Sequence, residues 1–263
     1  MNLDLKGKSV LVTGGNRGVG LGIALAFAEE GANVAICGRD KAALAEAEAK
    51  IAAKGVKAKA VAVDLFTGEG CIAAVQAAVD AFGGLDILVN NASTSISGNI
   101  ETLDDEGLLE RLKGKTLAYM RCVRAALPHL RKSGRGRVIC IGGNAAFAAG
   151  ATALPSALGN SSVIAFVKQF STTVAAQGIT ANTVHPPFTK TDRYPKRLAA
   201  RAKQLGVSEA QAEASFIKQF PIGRLVEPSD IAPMVLFLAS PHASAITGQS
   251  IAIDGGSTPG TYY

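Results

Sequence analysis

The sequence predicts an α/β fold: one doubly wound domain, a mostly parallel sheet with helices on both faces. Three observations carry that expectation. The chain opens with an apolar run, Ser9 to Val12, then the glycine-rich turn Thr13-Gly14-Gly15-Asn16-Arg17-Gly18-Val19-Gly20, then a small and apolar helical stretch, Leu21 to Glu30. Strand-like runs and helical stretches alternate along most of the remaining chain. At 263 residues the chain is long enough for one such domain and short for two.

The first unit is the recipe for a phosphate cradle. Glycines let the backbone turn tightly and approach a pyrophosphate, and a helix N-terminus points unpaired N–H groups at negative charge. On that helix Leu21, Ala24, Leu25 and Ala28 are expected on one face. Val34 to Cys37 reads as a second buried strand, ending in Gly38-Arg39-Asp40. NAD binders of this Rossmann architecture place an acidic residue there, on the ribose 2′-hydroxyl. Gly38 cannot repel a 2′-phosphate, and Arg39 and Arg17 can bind one bidentately, so the expected cofactor is NADP(H). The alternative for Arg39 is a solvated residue at a helix start, paired with Asp40.

Lys41 to Lys54 reads as an amphipathic helix closed by Gly55, Lys57 to Val63 as the third strand, Gly70 to Phe82 as a helix and Leu85 to Asn90 as the fourth strand. Asp64 or Thr67 would cap the helix between them. Thr94 to Thr102 is polar and loop-like. Leu103 to Ser133 reads as one long helical stretch with Gly107 and Gly114 inside it, Arg137 to Ile141 as the fifth strand and Val163 to Val174 as an apolar helix. Lys190 to Gln219 is charged and largely helical. A helix from Pro228 and a strand from Ser250 to Ile253 close the pattern.

Composition bounds the function. Hydrophobic residues make up 48% of the chain and mean hydropathy is +0.24, as in a packed globule. No apolar run reaches the roughly 18 residues of a membrane span, and Met1 to Lys8 is too polar for a signal peptide. Cys37, Cys71, Cys122 and Cys140 follow no metal-ligand spacing and read as reduced thiols of a cytoplasmic protein. The net charge of +6 gathers at Arg121 to Arg137 and Lys190 to Lys203, without interleaved aromatics. Solvated helix faces or an acidic substrate explain these clusters better than nucleic acid.

The spacing TGxxxGxG at Thr13 to Gly20 resembles the short-chain dehydrogenase/reductase family. Asp64 after the third strand, Asn90-Asn91-Ala92 after the fourth, and Asp254-Gly255-Gly256 near the end follow in that family's order. The resemblance spans the whole chain, 1–263, as a single domain. It implies cofactor contacts from Gly14, Asn16, Arg17, Gly18, Val19, Gly20 and Arg39, from Asp64-Leu65 at the adenine, and from Asn91 and Ala92 at the ribose. Asn182-Thr183-Val184-His185-Pro186-Pro187 resembles the run that walls the nicotinamide, with Pro186 in contact and Pro187 where a glycine is usual. Thr191 matches a cofactor-contacting threonine. The resemblance further implies a substrate lid around 188–220 and assembly into dimers or tetramers through the helices after the fourth and fifth strands, although the apolar helix could equally be core.

Such proteins ordinarily use an Asn, a Ser, a Tyr and a Lys for proton transfer. Counting along the resemblance, those positions fall on Lys115, Gly143, Ser156 and Asn160. Ser156 is a far weaker acid than a phenol, whose pKa is about 10. Asn160 can hydrogen-bond a ribose but brings no charge. Lys115 brings a cation from another wall, with Tyr119 one helical turn on, and this pair is the expected replacement; the alternative is a snorkelling Lys and a packing Tyr. Pro155-Ser156-Ala157 is similar to the run in 2,4-dienoyl-CoA reductases, which points to conjugated alkenes as well as ketones. His185 is a tempting acid, but a histidine at a strand end is more often structural. The expected activity is NADP(H)-dependent reduction of a ketone or activated alkene in a small hydrophobic molecule, or the reverse. A silent cofactor-binding protein and a non-redox lyase or hydratase are the alternatives.

Overall fold

The computed structural model describes residues 1–94 and 96–259. Ser95, inside the loop expected from Thr94 to Thr102, and residues 260–263 lie outside the described residues. Seven strands alternate with helices: β1 (Ser9–Thr13), α1 (Gly18–Glu29), β2 (Asn33–Gly38), α2 (Lys41–Ala52), β3 (Ala58–Ala62), α3 (Gly68–Phe82) and β4 (Ile87–Asn90) form the first half. α4 (Asp105–Leu112), α5 (Ala118–Lys132), β5 (Arg137–Ile141), α6 (Leu154–Val174), β6 (Thr180–His185), α7 (Tyr194–Leu205), α8 (Glu209–Ile217), α9 (Pro228–Ala239) and β7 (Ser250–Ala252) form the second. The sheet order is β3-β2-β1-β4-β5-β6-β7, and every pairing in it is parallel. The order reverses between β1 and β4, the crevice where ligands of such sheets bind.

Strand periodicity sorts the core into two layers. Val10, Val12, Ile36, Val89 and Ile139 face a core closed by α1, α2 and α9, through side chains such as Phe27, Ile51 and Val235. Their neighbours Leu11, Cys37, Leu88 and Cys140 face the opposite core, closed by α3, α5 and α6. Both faces of the sheet are therefore covered, which is why its central strands β1, β4 and β5 are buried along their length and mostly apolar and not alternating. All four cysteines sit free and buried in the second layer. No helix among the described residues is long and apolar enough to cross a membrane.

Several expectations shift. The buried face of α1 is Ile23, Ala24, Phe27 and Ala28, with Leu21 and Leu25 only half-buried; the stripe is rotated because α9 packs against this helix. Gly22 permits that approach, since a Cβ there would lie 2.5 Å from Pro228. Thr67, and not Asp64, caps α3, accepting from Gly70 N at 3.0 Å. The long helix expected from Leu103 to Ser133 is two helices joined by a π turn, Lys113–Leu117. Gly114 forces close backbone packing there, because a Cβ would sit 2.7 Å from Phe66 and Thr94. π turns inside helices are frequent at functional sites. The charged segment after β6 forms α7 and α8, docked by Phe188 stacking on Phe216 at 4.8 Å and by the Tyr194 hydroxyl donating to Glu213 at 3.0 Å.

Candidate active site

A cleft of about 660 Å³ opens at the carboxyl ends of the strands. Its floor is the glycine turn. Gly14 and Gly18 take left-handed φ of 64° and 56°, which only glycine adopts freely. A Cβ on Gly20 would strike the Gly14 carbonyl and the Asn91 amide. Asn91 braces this turn, its Nδ2 donating to Thr13 O at 3.0 Å and Gly14 O at 3.2 Å. The Thr13 hydroxyl accepts from the N–H of Asn91 and of Ala92, at 2.9 and 3.1 Å. Replacing Gly20 with Ala is expected to cost about 1–3 kcal/mol by overpacking, read as a lower urea midpoint.

A dinucleotide fits this floor. The N-cap of α1, Arg17, makes no side-chain cap and no acidic residue stands in the first turn, so the helix's first N–H groups are left for an anion. Asp40, Thr67 and Asp104 cap α2, α3 and α4 instead. Arg17 and Arg39 are exposed along the cleft, and among the described residues neither forms an ion pair; Asp40 is committed to Ala43 N at 3.1 Å. Asn16, Gly18, Val19, Asp64, Leu65, Ala92, Pro186 and Thr191 also line the cleft. Asn160 does not. Its amide is buried and donates to Gly143 O at 3.3 Å, while its Oδ1 has no hydrogen-bond partner among the described residues. Arg193 and Arg197, at the start of α7, line the cleft too; the sequence offered only their basic cluster as a signal.

At the far end, four side chains converge on the end of β5. The Lys115 ammonium is buried and donates to Ile141 O at 2.6 Å and Gly142 O at 3.4 Å. The Tyr119 hydroxyl donates to the same Ile141 carbonyl at 3.0 Å, with Lys115 Nζ 4.9 Å from its ring centroid. His185 Nδ1 faces Gly143 N at 3.2 Å, and Phe147 packs edge-on against the imidazole at 4.9 Å between centroids. Asn160 holds Gly143 O. The missing side chains make room for this arrangement: a Cβ on Gly142 would lie 2.5 Å from His185, and one on Gly143 would lie 2.7 Å from Asn160.

Burial sets the protonation of these groups. Lys115 is brought from 10.5 to about 7, by desolvation first and by the charge of Arg111 second. Burial pushes the Tyr119 phenol well above its usual value, which makes it a poor proton donor. Neither Tyr119 nor Lys115 belongs to the cleft lining; Gly114 and Gly142 form the wall in front of the Lys115 ammonium. His185 falls to about 4 through burial and is neutral. Ser156 is half-buried in the first turn of α6 and does not reach the cleft lining. The residue the sequence reading missed is Arg111, buried one turn before Lys115 and bound to Ser93 Oγ at 2.7 Å and to Thr94 O. Its only sequence signal is the i, i+4 spacing to Lys115.

Placing a serine at position 143 tests how tightly the end of β5 is packed. Gly143→Ser is expected to destabilise by about 1–3 kcal/mol. In a double-mutant cycle with Asn160→Ala the two losses are expected to couple by about 0.5–3 kcal/mol, and strict additivity would contradict the packing described.

A parallel doubly wound sheet with a glycine cradle at its switch point defines a nucleotide-binding α/β protein. The chain belongs to the short-chain dehydrogenase/reductase family, and residues 14–258 match the family described as enoyl-(acyl carrier protein) reductase. It is similar to 3-oxoacyl-(acyl-carrier-protein) reductase of Vibrio cholerae, 33% identical over 97% of this chain and 98% of that one. It is also similar to D-beta-hydroxybutyrate dehydrogenase of Cupriavidus necator, 30% identical over 96% of this chain and 98% of that one. Among solved structures, L-sorbose reductase of Gluconobacter frateurii, complexed with NADPH and L-sorbose, superposes with a TM-score of 0.94 at 30% identity, covering 99% of this chain and 100% of that chain. The relatives are oxidoreductases.

Proposed function

We propose that the chain is an NADP(H)-dependent oxidoreductase with a non-standard acid/base site, acting on a ketone or activated alkene of a small hydrophobic substrate. The observation that carries this reading is the buried Lys115 ammonium at the end of β5. Of its three N–H donors, two are engaged by Ile141 and Gly142, which leaves a third; because the ammonium lies behind the cleft lining, it reaches a substrate oxygen through one water. NADPH, when bound, supplies the hydride. The protein then has to place the substrate and meet the charge that develops on its oxygen: the C=O electron pair moves to oxygen, and Lys115 gives that oxygen a proton and is left as the neutral amine. A neutral His185 and a high phenol at Tyr119 leave Lys115 as the donor best matched to neutral pH.

The preference for the phosphorylated cofactor rests on Arg17 and Arg39, two unpaired guanidinium groups on the rim where Gly38 replaces an acid. Two relatives whose structures hold NADPH, L-sorbose reductase and actinorhodin polyketide ketoreductase, agree with it. Exposed Leu109, Leu117 and Leu158 give a second copy an apolar surface in the assembly expected of this chain, and the free thiols suit the reducing cytoplasm.

The test is NADPH deuterated at the nicotinamide C4, mixed with ketones, enones and enoyl thioesters, with mass spectrometry of the products. Deuterium on a carbonyl or alkene carbon is the expected result and names the substrate class. Bound cofactor with no transfer to any member would support a silent binding protein instead.

A further inference from the structure

Arg111 and Lys115 are two buried cations one helical turn apart, with relative exposures of 5% and 2%. Among the described residues no carboxylate forms an ion pair with either. An uncompensated buried charge is costly, and two side by side are costlier. The guanidinium is nonetheless held in place. Nη1 donates to Ser93 Oγ and Thr94 O, both on the cleft wall. Among the described residues Nε is buried without a partner, and it lies 3.0 Å from where a Cβ on Gly159 would be. Gly159 thus makes room for the guanidinium against α6, and the π turn at Lys113–Leu117 carries Lys115 to the end of β5.

We infer that Arg111 is a positioning residue for Lys115: its fixed guanidinium is the neighbouring cation that, together with burial, makes the ammonium readier to give up a proton. The inference rests on the proton-donor role proposed for Lys115 and names what sets it. A lysine beside a second cation in an apolar site is a known physical route to an amine that titrates near neutrality. Burial is the larger cause of the lowering, and of the charged groups near Lys115 Arg111 is the one that adds to it. Tyr119 on α5 and Cys140 on β5 are uncharged, because burial raises both. His185 at the end of β6 is neutral, because burial lowers it. α6 contributes the amide of Asn160 nearby, which does not titrate.

The experiment is an NMR titration of protein labelled with 13C at the lysine ε carbon, the Lys115 signal being assigned by its loss in Lys115→Met. It needs no substrate and no turnover. The wild-type midpoint is expected near 7. In Arg111→Met it is expected to rise by about one unit or more, and in Arg111→Lys, which keeps the charge, to stay near the wild-type value. An unchanged midpoint in Arg111→Met, or an equal rise in both variants, would overturn the inference and leave Arg111 a brace for Ser93 and Thr94. If Arg111→Met does not fold, Arg111→Gln takes its place, with the same two readings. Failure of the proton-donor reading is seen separately, as deuteride transfer that survives in Lys115→Met.

Discussion

Lys115→Met is expected to slow reduction by about 10²–10⁴-fold, the usual contribution of a positioned general acid, while NADPH still binds. In the wild type the acid form is the one that works. Reduction should therefore be fastest below pH 7 and fall as pH rises through about 7, where Lys115 loses its proton. Oxidation of the alcohol needs the amine and should rise through the same range. Pre-steady-state rates of NADPH consumption from pH 5.5 to 9, with and without Lys115, test both slopes.

Stability should move as well, with a sign set by linkage. The folded value of about 7 lies below the ordinary 10.5. Between them the unfolded chain holds a proton that the folded chain lacks, so stability rises with pH across that window and the penalty is full below it. Lys115→Met removes the penalty. Its stability relative to wild type should therefore be greater at pH 6 than at pH 9, by about 2–3 kcal/mol. Urea unfolding at the two pH values measures this, and a difference independent of pH would contradict the titration assigned to Lys115.

The second large effect is expected at the rim of the cleft. Hydrogen bonds to charged groups contribute about 1.5–3 kcal/mol each, or roughly 10–100-fold in affinity. Arg17→Gln combined with Arg39→Gln should weaken NADPH binding by about 10²-fold or more, and leave NADH binding within a few-fold. Isothermal titration of both cofactors gives the comparison. Equal losses for NADPH and NADH would place the two arginines on the pyrophosphate and not on the 2′-phosphate.

The sequence made the sheet legible because both of its faces are covered, which turns the central strands into mostly apolar runs. Arg137 to Ile141 is such a run, and it agrees with β5 residue for residue. The glycine turn was legible because close backbone approach leaves glycine little substitute at Gly14 and Gly20. The helical stretch after β4 was less so. Periodicity cannot show a π turn, because the inserted residue shifts phase only locally, and this shift carries Lys115 inward. Arg111 escaped for a related reason: an arginine on an amphipathic helix reads as solvated until Gly159, far along the chain, is seen to make room for it. Tyr119 was placed on the correct face of its helix, beside Lys115, but the depth at which that face lies is a property of tertiary packing.

The burial of every cysteine gives this protein a built-in alarm. Cys37 and Cys140 lie on neighbouring halves of the sheet, Cys71 and Cys122 on the helices that cover it, so a thiol reagent in solution finds no target until those elements part. Its colour then keeps time with opening of the molecule. Any compound that binds only the closed form slows that clock in proportion to its occupancy. Cofactor affinity can thus be measured by thiol labelling alone, for the wild type and each variant, before a single substrate is known.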